Sequence, residues 1–160
     1  MAAHFFGLNN ARDLLNKLGR DFEKLEDQPN VDSLFNFFVT AGSIKDWILV
    51  ERPELKDRVD DLYNGRLLYC LEIGNKAKHL VLTKSRGRVG LPDPVTTVSD
   101  LSTLNGTAIN DVAVGSTAYG WSLGYGEETH VPDLLEYAKE VVYTLVDFFG
   151  IHSISPSHHR

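Results

Sequence analysis

The chain has 160 residues, 16 Lys and Arg against 22 Asp and Glu, one Cys and a formal charge of −6. That length sets one domain as the default, able to bury roughly 70% of its unfolded surface. Hydrophobic residues at 42% and charged residues at 24% exclude wholesale disorder, and the single cysteine excludes an internal disulfide or a thiolate-rich metal site.

No apolar run approaches the roughly 18 residues that span a bilayer, so no membrane association is expected. Met1 to Asn10 lack the basic-then-apolar order of a signal peptide. A reducing, cytoplasmic location is the expectation. The acidic total argues against a surface coated with nucleic-acid-binding charge, but it says nothing about a local patch.

The first half of the chain reads as helix. Leu8, Ala11, Leu14, Leu15, Leu18, Phe22 and Leu25 recur at steps of three and four and form one apolar face. Asn9 or Asn10 can cap the start, Pro29 enforces the stop, and Gly19 inside costs about 1 kcal/mol relative to Ala. A second helix is expected from Asp32, acting as its cap. Its apolar residues, from Leu34 to Leu49, cover more than one face, which places it in the middle of a bundle.

Pro53 then opens a short helix through Leu55, Val59 and Leu62, broken at Asn64-Gly65. Leu67 to Ala77 continue in a helical period towards His79. From Leu82 to Gly126 the composition shifts to Gly, Thr, Ser, Val and Pro, with candidate strands at Leu80–Lys84, Val95–Ser99, Ile109–Tyr119 and Trp121–Tyr125. The last helix is expected from Pro132, with Leu134, Leu135, Ala138, Val141, Val142, Leu145, Phe148 and Phe149 as its apolar face and Gly150 as its stop. Ile151 to Arg160 read as a flexible tail.

The fold expected from these elements is mainly α with a small antiparallel β excursion, an α+β chain. It would be a single four-helix up-and-down bundle over residues 1–150, with a β-rich insertion at about 80–128.

The most informative neighbourhood for chemistry is the end of the third long helix. Lys76, Lys78, Lys84, Arg86 and Arg88 fall in a window, residues 73–92, that holds no Asp or Glu. That window carries +5, which leaves −11 for the rest of the chain. Cations separated by small residues, as in Lys84-Ser85-Arg86-Gly87-Arg88, can contact phosphates without obstruction. RNA or another polyanion would dock at 76–88; a solvated turn is the plain alternative.

Glu72, Asn75 and His79 share one helical face by their spacing. His79 can act as acid or base near neutral pH, and Asn75 can orient a group by hydrogen bonding. The structural alternative is that both pin the helix end, with Asp46 on the second helix paired to Lys78 or His79. Cys70, among Leu68, Tyr69 and Leu71, reads as packed rather than nucleophilic. Tyr119, Trp121 and Tyr125 read as packing residues of strands rather than a base-stacking platform. His152, His158 and His159 read as tail residues, and no metal or cofactor is called for.

The segment Phe35-Asn36-Phe37-Phe38-Val39-Thr40-Ala41, followed by Asp46-Trp47 and by Asn75-Lys76-Ala77-Lys78-His79, resembles a group of small bacterial and phage proteins over about half the chain. That likeness brings no activity with it. More distantly, a helical bundle with a polar N…H motif on its third long helix is similar to the HEPN class. Such domains are often dimeric, and many are RNases in toxin–antitoxin or antiviral systems. Their catalytic His follows an Arg at a short interval. Here His79 and Asn75 match one half of the pattern, while Glu72, Ile73 and Gly74 stand where the Arg would be. The cation expected to stabilise a phosphorane-like transition state is therefore missing, although Lys76, Lys78 or Arg66 are candidates to replace it.

The resemblance implies a non-catalytic HEPN-like interaction module of a bacterial or phage defence or conflict system, acting on a protein partner or as a homodimer. The alternative is an RNA-binding protein or a metal-independent ribonuclease toxin using His79.

Overall fold

The computed structural model describes residues 5–78, 94–98, 121–125 and 127–155, with the backbone alone for Lys78 and for 94–98. Within them lie helices α1 (Ala11–Asp27) and α2 (Val31–Glu51), a 3-10 turn (Pro53–Leu55), and helices α3 (Lys56–Asn64) and α4 (Leu68–Lys78). Strands β1 (Pro94–Val98), β2 (Trp121–Tyr125) and β3 (Glu128–Val131) follow, and helix α5 (Leu134–Ile151) closes the order. The described residues are thus mainly helical with a small antiparallel sheet, as expected.

Helix α1 buries the stripe read from its period: Ala11, Leu14, Leu15, Leu18 and Leu25. The Asn10 side chain accepts from the Asp13 N–H at 2.8 Å, and Glu51 at the far end of α2 accepts from the Ala11 N–H at 2.8 Å. Two of the free amides of the first turn are satisfied in this way. Helix α2 is capped by Asn30, whose Oδ1 accepts from the Ser33 N–H at 3.0 Å. Asp32, expected as the cap, instead lies in the first turn, where its charge complements the helix dipole.

Helix α2 is the central element and packs against α1, α3, α4 and α5, as its broad apolar surface requires. Phe37, Ala41, Ile44 and Ile48 are fully buried on it. Its closest approach is to α4. A Cβ at Gly42 would stand 3.2 Å from the Cys70 carbonyl oxygen and 3.6 Å from the Gly74 Cα, and a Cβ at Gly74 would stand 3.5 Å from the Phe38 carbonyl oxygen.

The sheet order is β1-β2-β3, antiparallel throughout, with Val98 opposite Trp121 and Tyr125 opposite Glu128. A bulge separates Leu123 from Gly124. A Cβ at Gly124 would sit 2.6 Å from the Glu128 carbonyl oxygen, so a residue larger than glycine has no room at this bulge. The expected strands at Val95–Ser99 and Trp121–Tyr125 are present, while those at Leu80–Lys84 and Ile109–Tyr119 lie outside the described residues. Strand β3 was not expected: Glu128-Thr129-His130-Val131 has one buried residue, Val131, and an otherwise exposed edge. Tyr125 is 4% exposed and belongs to packing, as its alternation suggested.

Helix α5 starts after Pro132, with the Asp133 carboxylate accepting from the Leu135 and Glu136 N–H groups. It does not stop at Gly150. Ser153 takes the left-handed conformation at φ 50°, the Ser153 N–H donates to the Gly150 carbonyl at 3.3 Å, and the Ile154 N–H donates to that of Phe149 at 3.0 Å. This is a Schellman closure one turn later than glycine placement indicates, and the buried Ile154 supplies its apolar contact. Residues 151–155 are accordingly held rather than free. The Arg12 guanidinium donates to the Ile154 carbonyl at 2.7 and 3.1 Å, and Arg52 donates to that of His152 at 3.2 Å.

A side chain beyond Cβ at Gly42 has nowhere to go, whereas a Cβ at Gly19 in α1 meets nothing within 4 Å. Gly42→Leu is expected to lower stability by about 3 kcal/mol or more through overpacking, while Gly19→Ala raises it by about 0.5–1 kcal/mol. Urea denaturation of both variants checks the pair; a neutral Gly42→Leu would remove the close crossing from the account.

Candidate functional site

The expected pairing of Asp46 with Lys78 or His79 falls on partners outside the described side chains. Asp46 is exposed, and the buried charge is Lys45, 5% exposed. Its ammonium lies 2.9 Å from Asp60 on α3 and 6.0 Å from the Tyr63 ring centroid. Asp60 also accepts from Lys56 one turn earlier. The bonds from Lys56 and then Lys45 hold its carboxyl at about 2, below the usual range. A second buried carboxylate, Asp21 on α1, meets Lys17 at 2.5 Å and the Thr40 hydroxyl of α2 at 2.8 Å. Both clusters join helices and carry no groove, so they are structural.

Of the residues singled out for chemistry, Asn75 and Lys76 lie half-buried on α4, and Glu72 is buried there. The side chain of Lys78 and all of His79, Lys84, Arg86 and Arg88 lie outside the described residues. Cys70 is fully buried, and burial pushes its thiol well above the ordinary value. Its reading as a packing residue stands, because a thiolate is disfavoured there.

The described residues converge elsewhere. The turn between α3 and α4 carries Arg66, the first turn of α4 carries Tyr69, β3 carries His130, and the first half of α5 carries Glu136, Tyr137 and Glu140. Together they line a groove of about 390 Å³, continued past Tyr143 by a second of about 390 Å³ that shares Arg66, Tyr137 and Glu140. This size falls within the range of ligand sites.

The walls of the groove are aromatic. The His130 ring stands edge-on to Tyr125 at 4.7 Å between centroids, and Tyr69 stands edge-on to Tyr137 at 5.8 Å. Tyr137 stacks on Phe38 of α2 at 6.0 Å, and its hydroxyl donates to the Arg66 carbonyl at 2.9 Å. That bond ties the α3–α4 turn to α5, and burial raises the Tyr137 phenol well above its ordinary value, so it stays neutral. His130 Nδ1 lies 3.4 Å from the Tyr69 hydroxyl and its Nε2 lies 3.3 Å from Glu128, which orients the imidazole between them.

The rim of the groove is acidic. Asp133, Glu136 and Glu140 face one guanidinium, Arg66. Carboxylates beside aromatic rings suit a cation, through charge and through the ring quadrupole together. An isolated anionic phosphate would meet three like charges. Sequence reading missed this site because it is assembled from residues more than 60 positions apart, as in Tyr69 and His130. The legible signal was Asp133, Glu136 and Glu140 at helical spacing on the polar side of α5.

Among the described residues, no group of three or more His, Cys, Asp or Glu side chains is arranged to hold a metal ion, and no helix is long and apolar enough to cross a membrane. Comparison with known proteins finds no family model, no curated protein and no solved structure that matches the chain.

Asp60→Asn leaves the buried Lys45 ammonium without its carboxylate and is expected to cost about 1–3 kcal/mol, reduced from a fully buried pair because Asp60 keeps water contact. Asp46→Asn should stay within about 0.5 kcal/mol. The depressed Asp60 value gives a pH signature: its contribution is full above the ordinary carboxylate range and is lost as pH falls towards about 2. Denaturation curves of wild type and Asp60→Asn from neutral to acid pH should converge over that window.

Proposed function

We propose that the protein is a non-catalytic interaction module that takes a basic segment of a protein partner in the acidic, aromatic-walled groove between the α3–α4 turn, β3 and α5. The observation that carries this reading is the pairing of Asp133, Glu136 and Glu140 with the rings of Tyr69, His130 and Tyr137 in one groove. A lysine or arginine side chain finds carboxylates at the rim and the Tyr69 and His130 rings at the wall. The negative balance of the chain outside the 73–92 window points to the same class of partner. The burial of Cys70 removes the one thiol from nucleophilic chemistry. As a helical bundle similar to the HEPN class, the module would serve a bacterial or phage defence or conflict system through such contacts.

The second reading, an RNA-binding protein or ribonuclease using His79 with Lys76, Lys78, Lys84, Arg86 and Arg88, is supported by the +5 window. One experiment separates the two. Fluorescence anisotropy at about 50 mM salt compares a labelled Lys/Arg-rich peptide, an acidic peptide of equal length and a single-stranded RNA. The basic peptide is expected to bind, and Glu136→Lys with Glu140→Lys to weaken it about tenfold or more. Binding of RNA alone, lost in Lys78→Ala with His79→Ala, would overturn the groove reading in favour of the second.

A further inference from the structure

Arg66 is out of place in a groove that suits cations. A basic segment entering beside Asp133, Glu136 and Glu140 meets the Arg66 guanidinium as a like charge. Arg66 also lines the continuation of the groove with Tyr137 and Glu140, so it stands where the two parts meet. Among the described residues, no carboxylate lies within ion-pair distance of Arg66, and Glu136 and Glu140 have no cation of their own. The groove thus displays both signs of charge, held apart from one another.

The backbone that presents Arg66 is well anchored. The Gly65 and Leu67 N–H groups donate to the Leu62 carbonyl at 3.3 and 3.0 Å, and the Leu68 N–H donates to that of Gly65 at 3.2 Å. From the facing helix, the Tyr137 hydroxyl donates to the Arg66 carbonyl at 2.9 Å. Arg66 is therefore an exposed, permanently charged donor fork on a fixed turn.

The natural complement of such a fork is a carboxylate, bound bidentately. The other place in the groove that favours an anion is the first turn of α5. It is already filled by the Asp133 carboxylate, which accepts from the Leu135 N–H at 3.0 Å and the Glu136 N–H at 3.3 Å. Arg66 is left for the anion of a ligand. Glu136 and Glu140, one turn apart on α5, are left for its cations. The matching ligand carries two cations and one carboxylate, with the charges apart. In an internal Lys-Glu pair the charges sit at the tips of neighbouring side chains and neutralise one another. A terminal lysine or arginine instead holds its carboxylate at the main chain and its cation a side-chain length away. Capture of a terminal carboxylate is a recurring mode of peptide recognition.

We propose that the groove reads the C-terminus of its partner: Arg66 takes the terminal carboxylate, and Glu136 and Glu140 take the side chains of a terminal pair of lysines or arginines. This rests on the basic-segment reading of the groove and adds where in the partner that segment lies.

Fluorescence anisotropy at about 50 mM salt compares three labelled peptides of one sequence ending in Lys-Arg. The first has a free terminal carboxylate, the second a terminal amide, and the third an added Glu with a terminal amide. The free acid is expected to bind about tenfold tighter than either amide, although simple attraction to an acidic groove favours the more positive plain amide. Arg66→Gln should weaken the acid about tenfold and leave the plain amide bound as tightly or more tightly, because its like charge is gone. Glu136→Gln should weaken acid and plain amide by the same factor. Both positions are exposed, and circular dichroism confirms that the variants fold. A plain amide that binds as tightly as the acid, or a preference untouched by Arg66→Gln, would overturn the proposal. A Glu-amide peptide equal to the acid would overturn it too, by moving the carboxylate to an internal side chain. In each of those outcomes the basic peptides still bind and the groove reading survives; if none of the three binds, that reading fails and this inference with it.

Discussion

Helices α2 and α4 approach so closely at Gly42 and Gly74 that a methyl group on either would touch the backbone of the other helix. Most of the remaining architecture follows from that crossing. Cys70, whose carbonyl lies against Gly42 at that crossing, is fully buried. Tyr69 is turned away from the crossing and out towards the sheet, where it meets Tyr125, His130 and Tyr137. Phe38, one turn before Gly42, reaches Tyr137 of α5 by stacking. The groove therefore exists because one helix pair packs backbone to backbone and displaces its large rings to the rim.

A crossing held by glycine alone has little to fix its position along the helix axes. Buried polar contacts supply that. Lys45 is tied to Asp60, and the Tyr63 hydroxyl donates to the Ala41 carbonyl at 2.7 Å, which binds α3 to α2 on either side of the crossing level. Asp21, Lys17 and Thr40 bind α1 to α2 on another flank. Ion pairs of this kind add little net energy over apolar packing, but each wrong register leaves a buried charge uncompensated. Arg12 and Arg52 do the equivalent at the end of α5, where that helix has no basic residue of its own in its last turn and the carbonyls of His152 and Ile154 just past it accept from two borrowed guanidinium groups.

How much of this was legible follows from the range of each interaction. The stripes of α1 and α5 are local and periodic, and they were read residue by residue. The break at Asn64-Gly65 was read for the same reason. The cap of α2 was misplaced from Asn30 to Asp32 because both residue types can cap and only the path of the chain chooses between them. The close crossing was not read, since Gly42 and Gly74 look like weak helix residues until their partner is known. Periodicity on the all-round apolar α2 does not say which of the neighbours Lys45 and Asp46 faces inward; Lys45 does, and Asp46 is exposed. The groove was missed because His130 sits on a four-residue strand with one apolar side chain, below any periodic signal. The sequence did disclose the uneven charge, and the acidic share of it is what the groove displays.

Helix α5 shows how one segment can carry several such assignments without conflict. Its residues 134, 138, 141, 145, 148 and 149 are buried in the core. Residues 136, 137 and 140 line the groove, 143 lines its continuation, and 139, 147 and 151 are exposed away from it. A helix repeats its faces every 3.6 residues, so three sides can be specified in parallel only if each draws on its own set of positions. The placement of charge obeys that separation: two carboxylates go to the groove side, and the one lysine of the helix, Lys139, is exposed away from it. Moving Lys139 by one position to 140 would neutralise the groove rim. The core and the groove together thus fix about half of the positions of α5, and the core alone accounts for fewer than half.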